Sequence, residues 1–220
     1  MYDFHTHTFL SDGSLSPIEL IRRAYMHGYK AIGITDHVNP GNLEFVIKAL
    51  VKDCKMASSR WNILAIPGVE ITHVPPSDLG LVAKTARQLG ARLINVHGET
   101  IVEPVEEGTN LAAIQCGSVD ILAHPGLVSK KEAEQAASAG VFLELSAKPG
   151  HSLTNGHVAK LATSTNALLL LDSDTHEPDD LLTPATAYNI AKGAGLSDSQ
   201  IHTMLSINPH RLLKQLGYAD

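Results

Sequence analysis

Short apolar stretches alternate with amphipathic stretches along most of the chain. The apolar stretches are too brief for buried helices and rich in β-branched residues, which predicts buried strands. The amphipathic stretches predict helices. The first is bounded by Ser16 and Pro17 at its start and Gly28 at its end. Strands are predicted at 2–4, 31–35, 63–67, 92–96, 119–123, 141–145 and 167–171, and further helices at 77–88, 129–138, 157–163 and from 208 onward.

This alternation predicts a parallel sheet covered by helices, because its strands are apolar on both faces. Seven such units fit either a doubly wound sheet or a closed barrel. A Gly-x-Gly-x-x-Gly fingerprint follows none of the predicted strands, which disfavours the dinucleotide-binding version of the open sheet. Because no linker or charge block divides the chain, we expect a single domain over residues 1–220.

Composition indicates the class of protein and disfavours one class of partner. With 44% hydrophobic and 18% charged residues, the chain has the composition of a globular protein with a full core. A net charge of -6 without a cluster of Lys and Arg disfavours nucleic acid as a partner. Cys54 and Cys116 belong to no C-x-x-C pattern, so we expect buried thiols in a reducing compartment.

We expect a cytoplasmic protein without a membrane anchor. The longest apolar run, 167–171, has the length of a strand and is far shorter than the roughly 18 residues that a membrane span needs. The polar residues Asp3, His5 and His7 lie where a secretory signal would carry its basic and apolar regions.

Residues that can ligate metals lie at the ends of six of the seven predicted strands, the sixth being the exception. They are His5 and His7, His37, Glu70, His97, His124, and Asp174 and His176. The carboxyl ends of parallel strands meet on one face of an α/β fold, so these side chains are expected to converge. The i, i+2 spacing of His5 and His7 and of Asp174 and His176 places each pair on one face. Nitrogen and oxygen ligands in this mixture suit Zn, Mn or Fe.

Other polar residues near the strand ends have two interpretations. Asp12, in Ser-Asp-Gly, is either a metal ligand or the polar residue of a turn. Asp36 and Asp172 would point away from the neighbouring ligands, so each either orients an imidazole or serves a local role, as a cap or at a strand end.

The loop after the sixth predicted strand carries Lys148, His151 and Asn155, which we predict as substrate-binding residues, with Lys148 holding phosphate. Glu99, Thr100 and Asn110 follow the fourth strand, where they could contact the leaving group. The remaining histidines lack this register and are predicted to have no role in the site: His27, His73, His157, His202 and His210.

Together these motifs resemble the PHP (polymerase and histidinol phosphatase) domain family over essentially the whole chain. The residues that carry the resemblance are His5-Thr-His7, Ser11-Asp12-Gly13, Thr35-Asp36-His37, Gly68-Val69-Glu70, His97, His124-Pro125 and Asp174-Thr-His176. The resemblance implies a distorted (β/α)7 TIM-like barrel with two to three divalent metal ions at its C-terminal face. It implies one metal held by His5, His7, Glu70 and Asp174, a second by Glu70, His97 and His124, and a third by Asp12, His37 and His176.

The resemblance also implies a metal-dependent phosphoesterase acting on a small phosphate monoester, with histidinol phosphate as the family's best-known substrate. Glu70 would bridge two ions that acidify a shared water. Four residues are predicted to serve catalysis: Glu70, His97, Asp174 and His176. The compact chain lacks the inserted lid domain expected of relatives that degrade nucleotides, so a nucleotide is the less favoured substrate.

Two other function classes stay open. A dinuclear amidohydrolase or a barrel deoxyribonuclease also begins with H-x-H. The conventional amidohydrolase, however, bridges its metals through a lysine on the fourth strand, which ends here in His97. The third class is a non-catalytic module stabilised by metal, and the complete ligand set on a free-standing chain argues against it.

Overall fold

The computed structural model describes residues 1–218, and its centre is a sheet of parallel strands. The strands are β1 (Tyr2–Asp3), β2 (Ala31–Ile34), β3 (His37–Val38), β4 (Leu64–Ile71), β5 (Leu93–His97), β6 (Ile121–Ala123), β7 (Phe142–Ser146) and β8 (Leu169–Asp172). Seven of them are neighbours in the order β1-β2-β4-β5-β6-β7-β8, and the short β3 pairs with the end of β4. The predicted set of seven parallel strands is confirmed.

The sheet nearly closes into a barrel just beyond the ends of β1 and β8. The backbone N–H of Asp174 donates to the carbonyl of His5 at 2.9 Å, and that of His7 donates to the carbonyl of Thr175 at 2.8 Å. One level lower, the N–H of Phe4 donates to a carboxylate oxygen of Asp172. These three hydrogen bonds form the seam that joins the β1 edge of the sheet to the β8 edge. The predicted TIM-like α/β barrel is therefore confirmed.

Helices surround the barrel. They are α1 (Pro17–Met26), α2 (Leu43–Arg60), α3 (Leu79–Leu89), α4 (Thr109–Gln115), α5 (Lys130–Ala139), α6 (Asn155–Thr165), α7 (Pro184–Gly193), α8 (Asp198–His202) and α9 (Asn208–Gln215). Of these, α2, α4, α7 and α8 are not among the predicted helices, and the longest of the four is α2. It begins without a side-chain cap, and its buried face is recognisable only from spacing: Leu43, Val46, Ile47, Leu50, Cys54 and Ala57. Within residues 1–218, no helix has the length and apolarity needed to cross a membrane.

The barrel interior changes from apolar to polar along each strand. Its floor is an apolar cluster that includes Leu212 of α9 and Leu216, the residue that follows this helix. Inward-facing positions recur every second residue, so β5 contributes Leu93 to the floor, Asn95 to the middle and His97 to the mouth. This gradient keeps the floor as packed core and places the ionisable groups at the C-terminal mouth.

Candidate metal centre

All nine predicted metal ligands converge at the C-terminal mouth of the barrel. Three of them, His5, His7 and Glu70, are buried beneath it, with exposed fractions of 0%, 1% and 0%. The other six line a cavity of about 530 Å³ above them: Asp12, His37, His97, His124, Asp174 and His176. Residues separated by as many as 171 positions in the sequence thus form one cup, from His5 to His176.

Glu70 lies at the centre of the cup, with its two carboxylate oxygens facing different imidazoles. Oε2 lies 3.3 Å from His5 Nε2, 3.6 Å from His7 Nε2 and 2.7 Å from His37 Nδ1. Oε1 lies 3.3 Å from His124 Nε2. Divided in this way, the carboxylate has the geometry of a group that can bridge two cations.

Asp174 forms the opposite wall. Its Oδ1 lies 3.3 Å from His7 Nε2, and its Oδ2 lies 3.9 Å from His124 Nε2. Asp174 and His124 both adopt left-handed backbone conformations, with φ of 54° and 28°. For a residue with a Cβ atom such a conformation costs about 1–3 kcal/mol, and it persists where the surroundings require it. Strain at two adjacent polar side chains in one cup is typical of a functional site.

Asp12 reaches the outer part of the cup. Its Oδ1 lies 3.2 Å from His176 Nε2 and its Oδ2 lies 3.6 Å from His37 Nε2. A tight turn presents it, because a Cβ at Gly13 would lie 2.5 Å from the carbonyl oxygen of His7. The turn interpretation of Ser-Asp-Gly is therefore confirmed. The turn aims Asp12 at the two imidazoles, which is compatible with its predicted role as a ligand.

Asp36 stabilises this turn. It accepts hydrogen bonds from the N–H and hydroxyl of Thr8 at 2.7 and 2.8 Å and from the Ser11 hydroxyl at 2.6 Å. Its role is the local one of the two predicted, and the prediction that it orients an imidazole is wrong. Asp172 similarly accepts from Phe4 N–H at the barrel seam.

Sequence analysis missed Glu144, the residue that orients the first histidine. Its Oε2 lies 2.6 Å from His5 Nδ1, and both side chains are fully buried. This contact leaves His5 Nε2 directed at Glu70, as in sites where a carboxylate fixes the orientation of a metal-bound histidine. One signal in the sequence could have identified it. Glu144 is a charged residue inside the otherwise apolar sixth predicted strand, the one without a metal-ligating residue at its end.

Replacing Glu144 by glutamine should weaken metal binding by roughly 10- to 100-fold, because the imidazole loses the negative charge that raises its basicity. The shape of the side chain is retained, so the barrel should still fold. Competition with a chromophoric chelator measures the affinity, and Glu134→Gln, at an exposed position of α5, serves as the control. Unchanged affinity in Glu144→Gln would remove Glu144 from the metal centre.

The donor set of the cup suits divalent metals. Buried atoms without a hydrogen-bond partner include His5 Nε2, both ring nitrogens of His7 and both oxygens of Glu70. Such atoms are costly unless a ligand satisfies them. Four groups of side chains each bring candidate ligand atoms within 4.8 Å of one another: His7, Asp12, His37 and His176; His97, His124 and His151; His5, His7 and Asp174; and His5, Glu70 and His124.

Electrostatics leave the central carboxylate charged. Burial opposes ionisation of Glu70, yet neighbouring imidazoles, first that of His5, hold its pKa well below the usual range. Burial alone would lower the pKa of His5, but carboxylates led by Glu144 raise it well above the ordinary value. Burial, with His37 nearby, lowers the pKa of His7 to about 3, so its imidazole is neutral, the form that ligates metals.

Two of the three predicted substrate-binding residues line the cavity and one does not. Lys148 Nζ lies 2.5 Å from His176 Nδ1. The ring of His151 stacks on that of His124 at 4.0 Å, so it lies among the predicted metal ligands. Asn155 is absent from the cavity lining, because its amide is engaged by the backbone of Ser146 as both acceptor and donor. Its predicted contact with substrate is replaced by a structural role.

Three residues in the loops after β4 and β5 differ from their predicted roles or were not predicted. Glu99, predicted beside the leaving group, accepts from the N–H groups of Gly108 and Asn110 and so supports the loop. Glu103, which sequence analysis did not select, has its Oε2 2.9 Å from His97 Nε2. His73, predicted to lie outside the site, lines the cavity with its ring 5.6 Å from that of His97. These contacts depend on loop conformation, which residue spacing does not reveal.

Several relatives match nearly the full length of the chain. An uncharacterized protein of Methanocaldococcus jannaschii is 43% identical over 216 residues, which cover 98% of this chain and 99% of that protein. Ribonuclease P protein component 3 of Methanosarcina mazei is 26% identical over 230 residues, covering 97% of this chain and 89% of the relative.

Solved structures share the fold. A chain of the archaeal Ribonuclease P complex with mature tRNA superposes with a TM-score of 0.71 at 15% identity, covering 98% of this chain and 91% of that one. Histidinol phosphate phosphatase from Lactococcus lactis, solved with Zn, L-histidinol and phosphate, gives 0.57 at 15% identity, covering 99% and 94%. The family model of the PHP domain matches residues 3–182. Because this match covers most of the sequence, the chain belongs to the PHP domain family.

Proposed function

We propose that this protein is a metal-dependent phosphoesterase that hydrolyses a small phosphate monoester. One observation carries the proposal: a fully buried, anionic Glu70 divides its two oxygens among imidazoles at the bottom of an open cavity. The rim of that cavity carries the cationic Lys148, so a phosphate group would meet a positive charge as it enters.

The residues that would hold two or three ions of Zn, Mn or Fe are His5, His7, Asp12, His37, Glu70, His97, His124, Asp174 and His176. Bound there, divalent ions would polarise phosphoryl oxygens. They would also lower the pKa of a water molecule, so that hydroxide is available to attack phosphorus at neutral pH. Glu70 and Asp174 would position these ions at the centre of the cup. The packed floor of the barrel closes the cup from below, so substrate enters through the cavity mouth.

The roles of the remaining predicted catalytic residues follow from their contacts. His176 Nδ1 lies 2.9 Å from the carbonyl oxygen of Asp174, which fixes the ring and turns Nε2 towards Asp12. His97, at the end of β5, lines the cavity with its Nε2 2.9 Å from Glu103 Oε2. Lys148 Nζ, beside His176, is placed to bind the oxygens of the substrate phosphate.

Replacing Lys148 by methionine should reduce kcat/KM for a phosphate monoester by roughly 10- to 100-fold, mainly through a higher KM. A hydrogen bond to a charged group contributes about 1.5–3 kcal/mol, and methionine keeps the length of the side chain without the charge. Steady-state kinetics measure the effect, with the exposed Lys131→Met as the control. An unchanged KM would exclude Lys148 as a phosphate contact.

The decisive experiment is phosphate release from a panel of monoesters, including histidinol phosphate and nucleoside monophosphates. Protein stripped by a chelator is reloaded with Zn, Mn or Fe before each assay. Metal-dependent release supports the proposal, and the fastest substrate defines its specificity. If no metal supports release, a diester and an amide substrate are tested next, because the amidohydrolase and deoxyribonuclease alternatives use related barrels.

A second candidate function is a binding role in an RNA-containing assembly. The full-length similarity to Ribonuclease P protein component 3 favours it. The net charge of -6 does not suit a protein that binds RNA by neutralising phosphates, so any such role would depend on protein contacts. Absence of hydrolysis on the whole panel, together with retained metal binding, would favour this candidate over the enzyme.

A further inference from the structure

Three buried imidazoles form a separate corner of the cup. His97, His124 and His151 are 3%, 3% and 5% exposed, and each directs one nitrogen into a space less than 4.8 Å across. The rings of His97 and His124 are 4.5 Å apart at 72°, and those of His124 and His151 stack at 4.0 Å. The ligand set implied by the family resemblance assigns only His97 and His124 of these three to a metal.

Glu103 places a carboxylate on the same corner. Its Oε2 lies 2.9 Å from His97 Nε2, and its Oε1 lies 3.5 Å from His151 Nε2. An ion pair with a single histidine needs only one such contact. Here the two oxygens contact two different imidazoles, which is the arrangement expected when a carboxylate closes a site built from several histidines.

The second nitrogen of His151 is already engaged. His151 Nδ1 lies 2.7 Å from the hydroxyl of Thr100, and both residues are buried. Nε2 is thereby left facing the cup, 3.8 Å from Asp174 Oδ2. Histidines that bind metals characteristically use their other ring nitrogen in a hydrogen bond that fixes the ring. His151 therefore has the orientation of a ligand rather than that of a free phosphate-binding side chain.

The loop that carries Glu103 is fixed at its base and exposed at its tip. Glu99 accepts two backbone N–H groups across the loop, and Asn110 donates to the carbonyl of Pro125. A side chain at Gly126 would lie 1.9 Å from the carbonyl oxygen of Glu99, so glycine is needed for this close approach. Beyond this base, Glu103 is 39% exposed on its side chain, far more than the three histidines.

We propose that His151 and Glu103 are ligands, with His97 and His124, of one metal position in the cup. The inference rests on the metal centre of the proposed function but not on hydrolysis. His151 and Glu103 both come from loops that follow strands, so the position joins the ends of β5, β6 and β7. Glu103 is the ligand most accessible to solvent, because its side chain is 39% exposed whereas the three histidines are buried.

The test measures metal binding directly. Wild-type protein, Glu103→Gln and His151→Gln are stripped, reloaded with Zn or Co, and dialysed. Elemental analysis then counts bound metal, chelator competition gives the affinity, and Co absorption reports changes in ligand number. The matched controls are Glu107→Gln on the same loop and His202→Gln on α8, both of which change exposed residues. We expect both site variants to lose about one metal equivalent or to bind it at least about 10-fold more weakly, with an altered Co spectrum.

The outcomes separate the two proposals. Wild-type stoichiometry, affinity and Co spectrum in both variants would overturn the inference, leaving Glu103 as a plain ion-pair partner. A loss in His151→Gln alone would overturn it for Glu103. If His151→Gln does not fold, Glu103→Gln still decides, because it changes only an exposed loop. Loss of metal in the variants of a protein that hydrolyses none of the monoesters supports this inference while rejecting the proposed function.

Discussion

Replacing Glu70 by glutamine should lower metal-dependent phosphate release by roughly 1,000-fold or more. Glutamine keeps the size of the side chain but removes the negative charge that its two oxygens share among His5, His37 and His124. A cation that polarises phosphoryl oxygens contributes several kcal/mol to transition-state stabilisation, and each 1.4 kcal/mol corresponds to a factor of ten. Loss of the central carboxylate should therefore weaken the binding of both ions that Glu70 would bridge.

The control for this variant is Glu134→Gln, which changes an exposed glutamate on α5. Circular dichroism and cooperative unfolding should show that Glu70→Gln still folds, because Glu70 lies at the mouth of the barrel above the apolar floor. Elemental analysis should show less bound metal. Wild-type activity in Glu70→Gln would contradict a bridging role and direct attention to Asp174.

Most of the candidate metal ligands can be predicted to meet in one place from sequence, because two simple rules place them. Parallel strands end on one face, and alternate residues of an extended segment share a side. These rules bring His5 and His7 to the same cup as Asp174 and His176 without any knowledge of loops. Eight of the nine residues are predicted in this way, and Asp12 is added by the family resemblance. All nine converge, and their ligation of metal stays a prediction.

The residues that sequence analysis missed lie where those rules do not apply. Glu144 acts across the barrel on His5, and its partner could be known only once β1 and β7 were placed. Glu103 reaches His97 from a loop whose path is set by Glu99 and by a close approach to Gly126. Long-range and loop-dependent contacts of this kind leave no periodic pattern in a single sequence.

Polar residues with several hydrogen-bonding options were also ambiguous. Asn155 lies in the loop after the sixth predicted strand, which makes it a candidate for substrate binding. In the fold its amide spans the N–H and the carbonyl of Ser146. Asp36 was equally able to orient an imidazole or support a turn, and the position of Thr8 decides for the turn. Residue type limits what a side chain can do, and tertiary packing selects among the options.

Removing bound metal with a chelator should lower Tm by roughly 5 to 11 °C. A ligand that binds only the folded state at 100 times its Kd stabilises it by about 2.7 kcal/mol, and each kcal/mol shifts Tm by about 2–4 °C in a protein of this size. Nε2 of His5, both ring nitrogens of His7 and both carboxylate oxygens of Glu70 are buried without a hydrogen-bond partner. Metal should satisfy these atoms in the folded chain, whereas the unfolded chain does not assemble them.

Differential scanning fluorimetry of stripped and reloaded protein measures this shift. Zn or Mn should restore Tm, whereas Ca at the same concentration should restore little, because Ca prefers oxygen ligands and the cup is rich in imidazole nitrogen. His202→Gln should respond as wild type does, and Glu70→Gln should show a smaller shift. An unchanged Tm in protein that elemental analysis shows to have lost its metal would mean that the cup is stable as an empty, hydrated pocket. Metal would then serve chemistry without contributing to the fold.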